Sequence, residues 1–171
     1  MRTAQNQSGT TLIEISIYFS ILAIFLFAAM SFAIQILSIS SISGNFNEMQ
    51  SNIDFIGAEI TSNIRNANNI NLAASTFDDD LGALSLNMPI AELSPTRFYL
   101  SDGNVFVTQG LNPAIQLNSD LVKFSSLNFH RVSANKAPDQ IILNAEITPL
   151  NMDIASSRKS LDLHLTASLR K

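Results

Sequence analysis

Cysteine is missing from this sequence of 171 residues, and charged residues make up only 14% of it. The absence of cysteine excludes disulfides, cysteine zinc sites, iron–sulfur clusters and thiol nucleophiles, and it leaves the redox compartment open. Ten lysines and arginines against 14 aspartates and glutamates give a net charge of −4, which lacks the basic excess of a nucleic-acid-binding surface. The length is that of one domain and excludes a large multidomain enzyme.

Charged side chains are absent from one long stretch near the start of the chain. Residues 15–47 contain no ionisable group apart from Tyr18, and the acids that border the stretch are Glu14 and Glu48. As a helix rising ~1.5 Å per residue, its apolar residues 15–39 span roughly 37 Å, enough to cross the hydrocarbon core of a bilayer. Fourteen of these residues are leucine, isoleucine or phenylalanine, which together favour insertion by roughly 4–8 kcal/mol. One acid near the helix end costs less than the roughly 3 kcal/mol of the membrane centre, so a membrane-spanning helix is predicted.

Three interpretations of this apolar segment follow from its length and its borders. A cleaved secretory signal has an apolar core of about 7–15 residues, which is shorter than this one, although a small-residue cleavage site near Ala29 or Ala33 stays open. An uncleaved signal anchor is the second interpretation. The third depends on the residues that precede the helix.

The junction before the helix reads MRTAQNQSG followed by TTLIEISIYFSIL. It resembles the class III signal of type IV pilins and pseudopilins, in which a short polar leader ends in glycine and a glutamate stands at mature position five. Gly9 matches that glycine, Glu14 matches the glutamate, and residues 11–13 match the usual T-L-I/V between them. Thr10 departs from the pattern, because the mature chain in that family more often starts with phenylalanine or methionine.

The resemblance implies a processing site and an assembly residue. The prepilin peptidase, a membrane enzyme, would cut between Gly9 and Thr10, and the new amine on Thr10 would be methylated. Glu14 would neutralise the amine of a neighbouring subunit when the helices pack in a filament. The residues alone leave another interpretation of Glu14, a carboxylate at headgroup level at the end of a membrane helix. Arg2 is the only basic residue of the leader, so the positive-inside signal for a cytoplasmic N-terminus is weak.

Beyond the apolar segment the helix is predicted to continue as an amphipathic one. Apolar residues recur at spacings of three and four, the signature of one helical face; they are Ile42, Phe46, Met49, Ile53, Ile56, Ile60, Ile64 and Ala67. One helix is therefore expected from about Thr10 to Asn68, with Gly44 and Gly57 as candidate bends. The expected role of the stripe is packing against the C-terminal part of the same chain. The segment EITSNIRNANNI is similar to the corresponding stretch of the minor pilins called PilW-like and of the J-type pseudopilins.

The rest of the chain is typical of strands and turns. Strands are predicted at residues 97–100, 105–108, 121–132, 140–148 and 161–169. The first two form a hairpin whose turn contains Gly103, and the third carries a bulge at Ser125–Ser126, where the alternation slips. Residues 149–160 are expected to form an exposed loop, and residues 71–95 an irregular connection with one short strand.

This C-terminal part offers no catalytic constellation in its sequence. It has no G-x-S-x-G motif, no P-loop and no dinucleotide-binding fingerprint. His130 and His164 have no second histidine or carboxylate at metal-ligand spacing, and His164 is expected to be solvent-exposed. The run Asp78–Asp80 is interpreted as an exposed acidic loop, with a share in a calcium site as the alternative. We expect no enzymatic activity, no cofactor and no bound metal.

The motif and the patterning together give an expected organisation. The fold class is α+β and pilin-like, with one long N-terminal helix, membrane-spanning in its first half, packed on a C-terminal antiparallel β-sheet domain. Residues 1–9 are the leader peptide, 10–40 the transmembrane and filament-core half of the helix, 41–69 its amphipathic half, and 70–171 the globular β head.

The resemblance implies a structural minor pilin or pseudopilin of a type IV pilus, a type II secretion system or a DNA-uptake filament. Its implied partners are the prepilin peptidase, other major and minor pilins or pseudopilins, and the lipid bilayer. Its implied location is the bacterial inner membrane, N-terminus in the cytoplasm and head outside, and after assembly a surface or periplasmic filament. The alternative is a signal-anchored envelope protein whose β-rich head binds a ligand and does not assemble. DNA capture by the head is a third hypothesis and depends on a local basic patch near Arg158, Lys159, Arg170 and Lys171.

Overall fold

The computed structural model describes residues 11–133, 137–150 and 160–170. The chain divides into two units, residues 1–43 and residues 44–171. The long helix α1 (Leu12–Asn66) contributes its first part to one unit and its last part to the other. Within the described residues, this helix agrees with the predicted one to within two residues at its C-terminal end.

The first unit contains the apolar part of α1. Its large apolar side chains are exposed on every side of the helix from Leu12 to Leu37, and none of this stretch is buried inside the fold. A helix that is apolar all round is suited to an apolar environment rather than to the one-sided contact of a soluble domain.

The second unit adds strands in two antiparallel sheets. The strands are β1 (Asn69–Ile70), β2 (Ala83–Asn87), β3 (Thr96–Ser101), β4 (Asn104–Gln109), β5 (Ile115–Gln116), β6 (Val122–Val132), β7 (Gln140–Pro149) and β8 (Leu161–Ser168). One sheet has the order β1-β2-β3-β4-β5 and the other the order β6-β7-β8, so strands that are adjacent in sequence are adjacent in space. Short 3₁₀ helices occur at Leu72–Ala74 and Ala91–Leu93. The general α+β class is therefore confirmed.

The amphipathic stripe of α1 forms one wall of the core in the second unit. The buried members of the stripe are Met49, Ile53, Ile56, Ile60, Ile64 and Ala67. They pack in one cluster with inward-facing residues of both sheets, such as Phe98 and Phe129, which confirms the predicted packing. Phe46 is 46% exposed, so its assignment to the core was wrong; the core begins about one turn later, at Met49. Ile42 lies outside the described side chains.

Local turn and bulge chemistry shaped the sheets as predicted. The hairpin turn between β3 and β4 holds Asp102 at φ 51° and Gly103 at φ 74°, the pair of positive φ angles that a two-residue hairpin turn of type I′ requires. In β6 the register with β7 shifts between Phe124 and Ser126, which confirms the bulge.

Other expectations about the connections need correction. Pro149 is buried at the end of β7, so the expected loop at 149–160 starts later, and residues 151–159 lie outside the described part. The connection at 71–95 contains the one predicted short strand, β2, but also the two 3₁₀ helices. The two-residue strands β1 and β5 were not predicted, because pairing with β2 and β4 defines them and so short a run has no pattern of its own.

Gly57 has a different role from the predicted bend. It lies within unbroken helix, and a Cβ added there would be 2.5 Å from Cδ1 of Leu165 on β8. The missing side chain therefore allows β8 to approach α1 closely, which is a packing reason for glycine in a helix interior.

Candidate functional site

The residues of the predicted processing site lie at the edge of the described chain. Gly9 and Thr10 are outside the described residues, whereas Glu14 is in the first turn of α1. The backbone N–H of Glu14 donates to the carbonyl of Thr11 at 3.0 Å. A carboxylate at this position is favoured by the exposed N–H groups and the dipole of the helix N-terminus, so local structure alone already stabilises Glu14.

The contacts of Glu14 leave it open to a cationic partner. The Tyr18 hydroxyl, one turn further on, donates to Oε1 of Glu14 at 3.2 Å. Glu14 is half-buried by its own helix. Ion pairs among residues 11–133, 137–150 and 160–170 involve other side chains, so Glu14 has no basic partner there.

Three serines of the apolar segment satisfy their hydroxyl groups within the helix. Ser16 donates to the carbonyl of Leu12 at 3.0 Å, Ser20 to that of Ser16 at 2.8 Å, and Ser31 to that of Phe27 at 2.9 Å. Such bonds to the carbonyl four residues earlier lower the cost of placing a hydroxyl in apolar surroundings.

By length and composition, the stretch Leu12–Leu37 is able to cross a bilayer. Both a membrane anchor and a signal sequence fit an apolar helix this close to the start of a chain. The structure therefore leaves the choice between the two to the junction residues and to experiment.

A polar cluster in the second unit connects α1 to the segment before β6. Ser119 donates its hydroxyl to Oε1 of Glu48 at 2.6 Å and its backbone N–H to Oδ1 of Asn52 at 2.8 Å. Asn52 in turn donates to the carbonyl and to Oε1 of Glu48 at 2.8 and 2.9 Å. These hydrogen bonds, first from Ser119 and then from Asn52, hold the pKa of the Glu48 carboxyl below its usual range.

Asn118 next to this cluster is buried and uses its whole side-chain amide. Its Oδ1 accepts from the N–H of Val105 at 2.8 Å, and its Nδ2 donates to Oδ1 of Asn104 and to the carbonyls of Ser119 and Val122. A buried amide with every group paired fixes the path of the chain. The cluster and the Asn118 amide together hold the segment before β6 in place, which is a structural rather than a reactive role. We call them the structural lock.

Sequence reasoning missed this lock, although part of its signal was present. Glu48 and Asn52 stand four residues apart, and the pair Glu59 and Asn63 repeats that spacing with the same two hydrogen bonds. Side chains at i and i+4 meet on a helix surface, so the contact between Glu48 and Asn52 could have been predicted from their spacing. Ser119 was not, because it is 71 residues away from Glu48.

The two histidines contact different partners. Nδ1 of His130 lies 2.5 Å from Oδ1 of Asp78, a pairing that the sequence analysis did not find because 52 residues separate the two. The backbone N–H of Asp78 donates to the carbonyl of Phe129 at 3.0 Å and so brings the acid beside β6. His164 is exposed, as expected, and faces Asn144 across the β7–β8 pair.

The acidic run is engaged by its own surroundings. Asp78 contacts His130, and Oδ1 of Asp79 accepts the N–H of Leu81 at 2.8 Å. Within the three described ranges, no group of three histidine, aspartate or glutamate side chains is placed to hold a metal ion.

Comparison of the chain with protein-family models, with curated proteins and with solved structures gives no match. The functional argument therefore depends on the N-terminal junction, the apolar helix and the surface of the second unit.

Proposed function

We propose that this chain is a minor pilin-like or pseudopilin-like filament subunit with no enzymatic activity. The observation that carries the proposal is an apolar helix, exposed from Leu12 to Leu37, whose one acid is Glu14 in its first turn. The junction G-T-T-L-I-E directly before and at the start of that helix supports it.

In this proposal the helix has two successive environments. It first crosses the inner membrane, with the N-terminus in the cytoplasm and residues 44–171 outside. The prepilin peptidase then cuts after Gly9, and the apolar surface that faced lipid packs against the helices of other pilins or pseudopilins. The exchange is reasonable energetically because both environments exclude water from the same side chains.

Glu14 links the two environments in the same proposal. A carboxylate in an apolar helix is costly unless it has a partner. Cleavage after Gly9 creates an amine on Thr10, and the amine of a neighbouring subunit neutralises Glu14 in the filament. The contacts of Glu14 support this role, because its described partner is a neutral hydroxyl.

Membrane partition tests the anchor on which the proposal depends. We expect the full-length chain in cells to sediment with membranes, to resist extraction by salt and alkali, and to be released by detergent. A chain of residues 44–171, which contains the whole hydrophobic cluster, is the control and should be soluble. Insertion is favoured by roughly 4–8 kcal/mol, so partition should be nearly complete.

A detergent-free, monomeric full-length chain would contradict the proposal. A soluble chain that has lost about its first 30 residues would point instead to a cleaved secretory signal, whose small-residue cut falls at that depth.

A further inference from the structure

The second unit protects most of its sheet edges, with one exception. Strands β1 and β5 at the edges of the larger sheet are two residues long. The outer edge of β6 is covered by the segment before β2: the N–H of Gly82 donates to the carbonyl of Leu127 at 3.0 Å, and the N–H of Leu127 donates to that of Asp80 at 2.8 Å. Short or covered edges are how proteins avoid unintended strand pairing.

Within residues 44–133, 137–150 and 160–170, strand β8 is the unprotected edge. It is eight residues long, and in the described part of the chain its ladder is with β7. It contains neither proline, lysine nor arginine, the residues that usually block an edge. Among the described residues no strand pairs with its second row of backbone N–H and C=O groups, which can therefore pair with another strand.

A groove runs along α1 beside this free edge. It has a volume of about 430 Å³, and its apolar part is lined by Ile53, Gly57, Leu163 and Leu165. Leu165 lies against Gly57 and is only partly buried, so part of its side chain faces the groove. The groove can take apolar side chains from a strand paired to β8.

Opposite charges line the helix wall of the same groove. Asp54 and Arg65 are both exposed and both line it. They are eleven residues apart, which is ~16 Å along a helix. Asp54 accepts a hydrogen bond from the neutral Gln50 at 3.0 Å, and the ion pairs among the described residues include neither Asp54 nor Arg65.

We propose that this groove and the free edge of β8 bind an extended segment of a different protein chain, which adds a strand to the sheet. The backbone of that segment pairs with β8, and its alternate apolar side chains enter the groove. A basic residue near one end faces Asp54, and an acidic residue near the other end faces Arg65. Strand addition of this kind takes affinity from main-chain hydrogen bonds and specificity from side-chain pockets.

The charges favour a different chain over a second copy of β8. The strand LDLHLTAS carries Asp162 but no lysine or arginine, so a second β8 supplies an anion for Arg65 and no permanent cation for Asp54. The inference concerns residues 44–171 alone, so it goes beyond the proposed filament role and does not depend on Glu14 or on cleavage after Gly9.

Two defined peptides test the site on the full-length protein in detergent micelles. They are acetyl-Lys-Thr-Val-Thr-Val-Thr-Glu-amide, whose valines and charged ends share one face of a strand, and its charge-reversed form, which exchanges the terminal lysine and glutamate. At ~3.3 Å per residue the two ends lie ~20 Å apart, within side-chain reach of two charges ~16 Å apart. A third peptide with proline at the central threonine lacks one backbone donor. We expect one of the first two to bind up to about fivefold more tightly than the other, the upper end of what one exposed pair of matched charges contributes.

Binding should also have a measurable effect on β8 itself. Amide hydrogen exchange of β8 should slow when the favoured peptide is added and should not change with the proline peptide. Failure of both charged peptides to bind more tightly than the proline peptide at about 1 mM, an affinity near −4 kcal/mol, would overturn the proposal.

Matched variants locate the binding. Leu165→Lys places a charge in the groove, whereas Leu161→Lys changes a partly buried leucine of the same strand that is not among the groove-lining residues. We expect Leu165→Lys to weaken the favoured peptide at least about tenfold, or 1.4 kcal/mol, and Leu161→Lys to have a much smaller effect. Arg65→Glu should weaken it about fivefold, with the exposed Arg97→Glu as its control.

Three results contradict the proposal at this stage. The first is equal loss of binding in the two leucine variants, and the second is an unchanged affinity in Leu165→Lys. The third is self-association of the full-length protein in sedimentation that Leu165→Lys abolishes, which would assign the edge to a second copy. Unchanged amide exchange in β6 and β7 shows that a variant is folded.

Discussion

Replacement of Glu14 by valine is expected to leave membrane insertion and cleavage intact and to lower recovery of the chain in filaments at least about tenfold. Valine in the apolar helix favours insertion by about 0.3–0.6 kcal/mol, so the variant loses nothing in the bilayer. In the proposed filament it removes the group that would neutralise a neighbouring amine. An unpaired charge in a dry environment costs several kcal/mol, more than the roughly 1.4 kcal/mol that a tenfold loss requires.

Detection of the chain in sheared filaments and in membranes measures this effect. Tyr18→Phe is the matched control, because it removes the hydroxyl that donates to Glu14 at 3.2 Å and keeps the carboxylate. We expect the control to assemble within about twofold of the unchanged chain, since one exposed hydrogen bond is worth about 1 kcal/mol or less. Recovery of the valine variant in filaments at the wild-type level would contradict a role of Glu14 in assembly.

Replacement of Phe129 by alanine is expected to destabilise the second unit by about 3–5 kcal/mol, which is the usual loss for a buried phenylalanine. Phe129 is 0% exposed on β6 and belongs to the cluster that joins α1 to both sheets. Its ring also lies close to Gly82, which has no side chain to fill the cavity. Denaturant unfolding of the full-length protein in detergent, followed by amide exchange of β6 and β7, measures the loss.

Phe55→Ala is the control for the core prediction. Phe55 lies on α1 within the same unit but is 54% exposed, and exposed positions of this kind usually change stability by no more than about 0.5 kcal/mol. Equal effects of the two substitutions would contradict the burial of Phe129 in the hydrophobic cluster.

Periodicity identified the elements that are long enough to show it. The stripe from Met49 to Ala67 repeats over five turns, and β7 and β8 each alternate over eight or more residues, so burial of one face could be inferred for each of them. Gly103 gave the hairpin because a two-residue turn needs positive φ. Phe46 fits the apolar repeat and was wrongly assigned to the core, because periodicity does not show where a core ends along a helix.

Contacts between residues that are distant in the sequence could not be predicted from periodicity. The covering of the β6 edge uses residues about 45 positions earlier, at Asp80 and Gly82. The contacts of Ser119 with Glu48 and of Asp78 with His130 also join distant positions. Single-sequence patterns describe local geometry, so contacts that depend on sheet order become visible only in the folded chain.

The N-terminal candidate site, in contrast, was predicted largely from the sequence. Glu14 and the apolar helix were found from the sequence, because an absence of charge over 33 residues, 15–47, is a strong one-dimensional signal. Gly9 and Thr10 came from the resemblance of the junction to prepilin signals. The groove beside β8 left no such signal, because its walls come from α1 and from a strand about 100 positions later.

The N-terminal residue of the mature protein tests the central claim most directly. Mass spectrometry of the protein purified from native membranes should show a chain that begins at Thr10, with or without a methyl group on its amine. A chain that begins at Met1, or after a cut near Ala29 or Ala33, would contradict the account of this protein as a processed filament subunit.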